Sequence, residues 1–203
     1  MTNSDLDWKY KLWTEDENLI RVYYKELEGI YTHLPRNILR VDMIRYIYMH
    51  QFGVLYLDVD YEFLRLFDFA RYDIVLPNEG DGAEVYVGNS ILASEPHHSF
   101  WNFVLKELKE NPPVSCKNEY AVIDLTGPGF LTKVYHKYFL NDASLHIPEK
   151  QYFNPNIPRN RLGQKRLESD GVTIGIHHYR GSWRDSVSLM KRILNKIRKV
   201  LQR

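Results

Sequence analysis

The sharpest chemical signal in the sequence is a pair of carboxylates one residue apart, Asp58 and Asp60, directly after the apolar run Val54-Leu55-Tyr56-Leu57. A short, continuous apolar run reads as a central strand buried on both faces, and ligands of open α/β sheets bind where such strands give way to loops. Hard divalent cations such as Mn²⁺ and Mg²⁺ take oxygen ligands, commonly one or two carboxylates together with substrate phosphates. Asp58 and Asp60 are thus candidate metal ligands and candidate catalytic residues, with a diphosphate completing the shell and the cation neutralising charge on a departing group. The plainer alternative is a pair of turn carboxylates after a strand.

Two further groups carry chemistry. Asp42 and Arg45 lie three apart on a predicted helix and share a face. They are either a surface ion pair or, because they interrupt an otherwise apolar helix just before the acidic strand, a site pair. In the second case the carboxylate accepts from sugar hydroxyls and the guanidinium holds a hydroxyl or a phosphate. His177 and His178 follow a predicted strand, so one can face a metal while its neighbour faces the opposite side. Ser182 and Trp183 offer a hydroxyl and an indole N–H as donors, or else a helix N-cap and a core aromatic.

The elements that must position these residues can be read in outline. The segment WKYKLW, residues 8–13, alternates as a half-buried strand does. Leu19, Ile20, Tyr23, Tyr24 and Leu27 have helical spacing over 17–30, with Gly29 as the stop. Pro35 opens a second helix that carries Ile38, Val41, Met43, Ile44 and Ile47 and ends at Gly53. Short strands are predicted at 62–66, 73–76 and 84–87, with a turn at Gly80-Asp81-Gly82. Helices are expected near 97–110 and 128–139, and an irregular loop over 150–171. A strand from Val172 to Ile176 leads into His177, and an amphipathic helix runs from Ser186. This order predicts one α/β domain spanning 1–203.

Composition narrows the function. A chain of 203 residues with 44% hydrophobic and 26% charged residues is that of an ordinary globular domain. Its formal charge of +1 provides no electrostatic footprint for nucleic acid. Cys116 is the single cysteine, which excludes an intramolecular disulfide and a cysteine-based zinc cluster and suits a reducing cytoplasm. The N-terminus has neither a basic start nor an apolar stretch, and the expectation is a chain without signal peptide or membrane span. The basic face of the C-terminal helix, with Lys191, Arg192, Lys196, Arg198, Lys199 and Arg203, is either solvated or meets an anionic membrane peripherally.

Taken together, five ordered blocks resemble the DxD-containing sugar-transferase family that includes fungal outer-chain mannosyltransferases, bacterial capsular polysaccharide enzymes and, more distantly, clostridial toxin glucosyltransferase domains. The blocks are LWTEDEN at 12–18, the segment from Leu34 to Asp60, GNSILASEPHHSFW at 88–101, LTGPGFLT at 125–132 and HHYRGSW at 177–183. The resemblance implies a GT-A fold with a mixed central sheet flanked by helices. It also implies a UDP- or GDP-hexose donor, Mn²⁺ or Mg²⁺, and transfer with retention to a glycan or lipid-linked acceptor, in polysaccharide or glycan synthesis. It places Asp60 on the metal, Asp58 on ribose or the metal's water, and His178 as the preferred third ligand. Asp42, Arg45, Tyr56, Asp58, Asn89, Ser182 and Trp183 fall on the donor side, with Arg45 stabilising the separating charges.

Two departures accompany the resemblance. The family's usual Gly-Gly pair before the acidic strand is here Gly53-Val54, and its first strand has no counterpart before Trp8. The second departure makes a non-catalytic sugar- or partner-binding domain the main alternative. A haloacid-type phosphatase, which also places DxD after a strand and uses the first Asp as nucleophile, is disfavoured by Glu62 where a small residue is usual.

Overall fold

The structure, a computed structural model, describes residues 9–12, 17–158 and 161–181. Its elements in chain order are α1 (Glu17–Tyr23), α2 (Lys25–His33), α3 (Asn37–Phe52), β1 (Leu55–Leu57), β2 (Tyr61–Phe63), β3 (Ile74–Val75), β4 (Ile91–Ser94), α4 (Ser99–Glu110), α5 (Ala121–Leu125), α6 (Pro128–Val134), β5 (Leu145–His146), α7 (Lys150–Phe153), α8 (Arg161–Ser169) and β6 (Gly175–His177). Four strands form a mixed sheet in the order β1-β4-β3-β5, antiparallel except for the β3–β5 pair, and β2 pairs with β6 in a separate antiparallel ribbon. This is the mixed α/β architecture, a sheet flanked by helices, that the sequence implies.

Side-chain alternation divides the sheet between two cores. Ile74, Leu76 and Leu92 face a large core shared with α2, α3, α4 and α6, and Tyr56 packs at its edge. Val75, Ile91 and Ala93 face a second core with Phe69, Phe153 and Ile174, against which Leu55 and Leu57 pack. Helix α3 is enclosed nearly all round, with Asp42 to Met49 buried without a break. A helix without a polar face belongs inside a domain. Tyr46 stacks on Trp101 of α4 at 5.9 Å, and the Trp101 indole N–H donates to Ser94 Oγ at 2.8 Å, which ties helix to sheet.

The sequence expectations meet several corrections here. Residues 9–12 of the expected first strand are not in strand conformation, and Tyr10 and Leu12 are exposed. The first helix breaks at Tyr24, whose buried ring bonds His50 and Gln51 of α3, while Gly29 sits inside α2 with open space around it. The acidic strand β1 packs on both cores but lies at the sheet's edge and is only partly buried, since β4 is its single strand neighbour among the described residues. Strand β4 itself was not expected.

The segment 84–87 contributes one bridge, Asn78 to Val87, because the Asn78 side chain takes the Gly80 and Tyr86 amides in place of a ladder. The expected loop at 150–171 contains α7 and α8. The expected C-terminal helix lies outside the described residues. Among those that are described, no helix is long and apolar enough to cross a membrane.

Gly53 ends α3 as expected, and the reason is geometric. Its φ of +54° turns the chain into β1, and a Cβ there would stand 2.0 Å from the Pro96 nitrogen. Gly53→Ala is therefore expected to cost about 2 kcal/mol or more, combining left-handed strain with a backbone clash. Urea denaturation measures this, and an unchanged midpoint would contradict the tight packing of the 53–96 crossing.

Candidate functional site

The site is built at the end of the sheet where β1 stops. Tyr56 projects from β1 toward α3, and its hydroxyl donates to Asp58 Oδ1 at 2.8 Å. Arg45, from the enclosed face of α3, reaches the same oxygen at 3.1 Å and stands 3.5 Å from Asp42 Oδ1. Its guanidinium lies 4.5 Å from the centre of the Tyr56 ring and donates to the Asn89 carbonyl at 2.5 Å. Asp42 is satisfied on both oxygens, by Asn89 Nδ2 at 3.3 Å and Thr126 Oγ1 at 2.8 Å. The pair is 3% and 4% exposed, which rules out the surface-ion-pair reading.

The charges follow from this burial. Burial alone lowers the Arg45 pKa, but Asp58, Tyr56 and Asp42 outweigh it and keep the guanidinium firmly protonated. Burial pushes Asp42 up to about 6, against the pull of Arg45 and Thr126. A buried ion pair of this kind is costly to break, since removing one partner strands the other.

The ribbon of β2 and β6 completes the site. Its register pairs Tyr61 with His177, which aims His177 back at the acidic turn. His177 Nε2 stands 3.2 Å from Asp60 Oδ1 and 3.8 Å from Asp58 Oδ2. Its ring lies between Tyr61, at 6.3 Å, and Tyr179, at 4.1 Å. Burial lowers the His177 pKa despite the two carboxylates, which favours the neutral imidazole. The second oxygen of Asp60 is taken by the Arg180 backbone N–H at 2.8 Å. Tyr179 adopts a left-handed φ of +46° just before that amide.

Each acidic side chain thus has one oxygen engaged by the protein and one turned inward. Asp58, Asp60 and His177 each offer a ligand atom, all within 4.8 Å of one another. Adjacent ligands of an octahedral Mg²⁺ or Mn²⁺ stand about 3 Å apart, given metal–oxygen bonds near 2.1 Å. Two carboxylate oxygens and a neutral imidazole are a suitable donor set, so this group is compatible with a divalent cation. His177 Nδ1 is buried without a hydrogen-bond partner, as is Arg45 Nε.

The structure corrects the expected third ligand. His178 turns away, with Nε2 2.8 Å from Glu62 Oε2, because adjacent strand residues point to opposite faces. Asp42, Arg45, Tyr56, Asp58, Asp60 and Asn89 lie together, and Ser182 and Trp183 lie outside the described residues. Sequence reading missed Thr126, Asn154 and Glu79. Asn154, 1% exposed, accepts from Ser90 and Tyr179 at 3.5 and 3.4 Å. Glu79 follows β3, and burial together with the nearby charge of Asp58 pushes its carboxyl up to about 7, with Lys150 pulling the other way.

The edge of the mixed α/β sheet thus carries an Asp-x-Asp turn, a buried arginine and a facing histidine, in a chain similar in sequence to fungal mannosyltransferases. The inositol phosphoceramide mannosyltransferase 2 of Schizosaccharomyces pombe is 28% identical over 134 residues, covering 65% of this chain and 38% of that protein. The mannosyl phosphorylinositol ceramide synthase SUR1 of Saccharomyces cerevisiae is 27% identical over 135 residues, covering 65% of this chain and 35% of that protein. The chain therefore spans little more than a third of the length of these relatives. Among solved structures, PaToxG Glycosyltransferase shares 18% identity with a TM-score of 0.41, over 60% of this chain and 41% of that chain. No family model matches the chain.

The raised Glu79 carboxyl has a thermodynamic signature. The folded state holds this proton more tightly than the unfolded chain, so the stability it contributes is complete below about 4.5 and is lost as pH rises through about 7. With EDTA present, Glu79→Gln is expected to flatten the fall in unfolding free energy across that window. An unaltered slope in urea titrations at pH 4.5, 6 and 7.5 would contradict the assignment.

Proposed function

We propose that this chain carries the donor site of a metal-dependent, retaining glycosyltransferase that moves a hexose from a UDP- or GDP-sugar to a glycan or lipid-linked acceptor. The observation that carries the reading is the convergence of Asp58 Oδ2, Asp60 Oδ1 and His177 Nε2 beside the buried Arg45. The fungal relatives favour mannose as the hexose and inositol phosphoceramide as the first acceptor to assay. A lipid-headgroup acceptor takes the place of capsular polysaccharide as the leading choice.

A bound Mn²⁺ or Mg²⁺ supplies Lewis acidity at the donor diphosphate. The protein supplies the rest. Asp58, Asp60 and His177 would hold the cation. Arg45 fixes Asp58 and adds permanent positive charge where the diphosphate gains negative charge. Asp42 and Asn89 hold Arg45 in place. In the transfer, the bond from the sugar's anomeric carbon to the phosphate oxygen breaks and its electron pair leaves with the diphosphate. The acceptor hydroxyl attacks from the same face, and its proton passes to the departing diphosphate. The side chain of Asp58 points its free oxygen at Asp60 and His177, a poor posture for the nucleophile of a phosphatase.

Asp60→Asn tests the reading. Transfer from GDP-mannose or a UDP-hexose in the presence of Mn²⁺ is expected to fall by about a hundredfold or more, since an inward ligand is neutralised, while thermal unfolding without metal stays close to wild type. Donor binding by the wild type without transfer or hydrolysis would favour a non-catalytic binding domain. Full metal-dependent turnover by the variant would refute the metal site.

A further inference from the structure

The order of strands places a second set of polar groups beside the first. Asp58 follows β1, Gly88 to Ser90 precede β4, Glu79 follows β3 and Lys150 follows β5, so all four positions lie at one end of the sheet in the order β1-β4-β3-β5. Neighbouring strands are about 4.8 Å apart, so Glu79 arises roughly 10 Å along the sheet from the strand that carries Asp58. That interval sets Glu79 to one side of the Arg45–Asp58 pair.

Glu79 is placed for a ligand and lacks a use within the fold. Its carboxylate accepts no hydrogen bond and joins no ion pair among the described residues, although the side chain is half-buried. It lies flat on Gly88, where a Cβ would come within 2.4 Å of Oε1, so the absence of a side chain at 88 makes room for it. Tyr61, Tyr86 and Tyr179 lie near enough to feel its charge, and the Glu79 N–H donates to the Tyr86 carbonyl at 2.7 Å. Lys150, the nearby cation, pairs with Asp81 at 2.8 Å rather than with Glu79. An unpaired carboxylate with tyrosines nearby suits a polyhydroxylated ring, whose hydroxyls donate to the carboxylate.

We infer that Glu79 is an acceptor-binding residue, its carboxylate taking a hydroxyl of a polyol acceptor ring one position along the sheet from the donor sugar. The inference rests on the glycosyltransferase reading and adds which wall of the same site selects the acceptor. Glu79 holds the ring so that a neighbouring hydroxyl faces the donor's anomeric carbon. Loss of its contact weakens the acceptor complex while the donor complex persists.

The test measures two reactions of the full chain with Mn²⁺: hydrolysis of the nucleotide-sugar by water, and transfer to inositol phosphoceramide in detergent micelles. In Glu79→Ala the acceptor KM is expected to rise about 10- to 100-fold, the loss of a charge-assisted hydrogen bond, and transfer falls far more than hydrolysis. Glu79→Gln, which keeps an acceptor oxygen in place, recovers part of the acceptor KM. Equal losses of hydrolysis and transfer, or an unchanged acceptor KM, would overturn the inference while leaving the glycosyltransferase reading intact. A wild type that neither hydrolyses nor transfers any donor sinks that reading and takes the inference with it.

Discussion

The interaction on which the rest depends is the charge of Arg45, buried between Asp42 and Asp58. An arginine so enclosed must be neutralised locally, because an uncompensated charge away from water is prohibitively expensive. Two carboxylates from different elements supply that neutralisation, one from the same turn of α3 and one from the tip of β1. The arrangement fixes where Asp58 can point. With Oδ1 taken by Arg45 and Tyr56, only Oδ2 is left to face Asp60 and His177. The inward set is thus a consequence of satisfying a buried guanidinium.

The surrounding fold serves that constraint. Helix α3 is buried without a break from Asp42 to Met49, and the Asp42–Arg45 pair is carried in with it. Gly53 lets the chain turn directly from the helix into β1, which keeps Arg45 and Asp58 in register. Thr126 and Asn89, from two distant segments, complete the hydrogen bonding of Asp42 and lock the pair against rotation. The β2–β6 ribbon then brings His177 over the carboxylates from the far side.

Much of this was legible in the residues, and the gaps have physical causes. The length and apolarity of 37–52 with a glycine at its end announced α3, and an abrupt stop after Leu57 announced the acidic turn. The Asp42–Arg45 spacing fits an exposed pair as well as a buried one, and only the enclosure of α3 decides between them. Strand alternation says that one of His177 and His178 faces inward, but the phase is set by the pairing of Tyr61 with His177, a long-range register that no local pattern contains. Strand β4 has no readable signal because its three apolar residues, Ile91, Leu92 and Ala93, are buried on both faces and show no period. Helix α8 was hidden by its polarity, since good helix formers such as Lys165, Arg166, Leu167 and Glu168 carry no apolar stripe. Glu79 gave no signal at all, since its setting exists only once β3 lies beside β4.

The most direct measurement of the central claim is a Mn²⁺ titration followed by electron paramagnetic resonance on the wild type, His177→Ala and His178→Ala. The wild type and His178→Ala are expected to quench the free-ion signal alike, and His177→Ala to lose most of that binding. Retained binding in His177→Ala with loss in His178→Ala would contradict that claim.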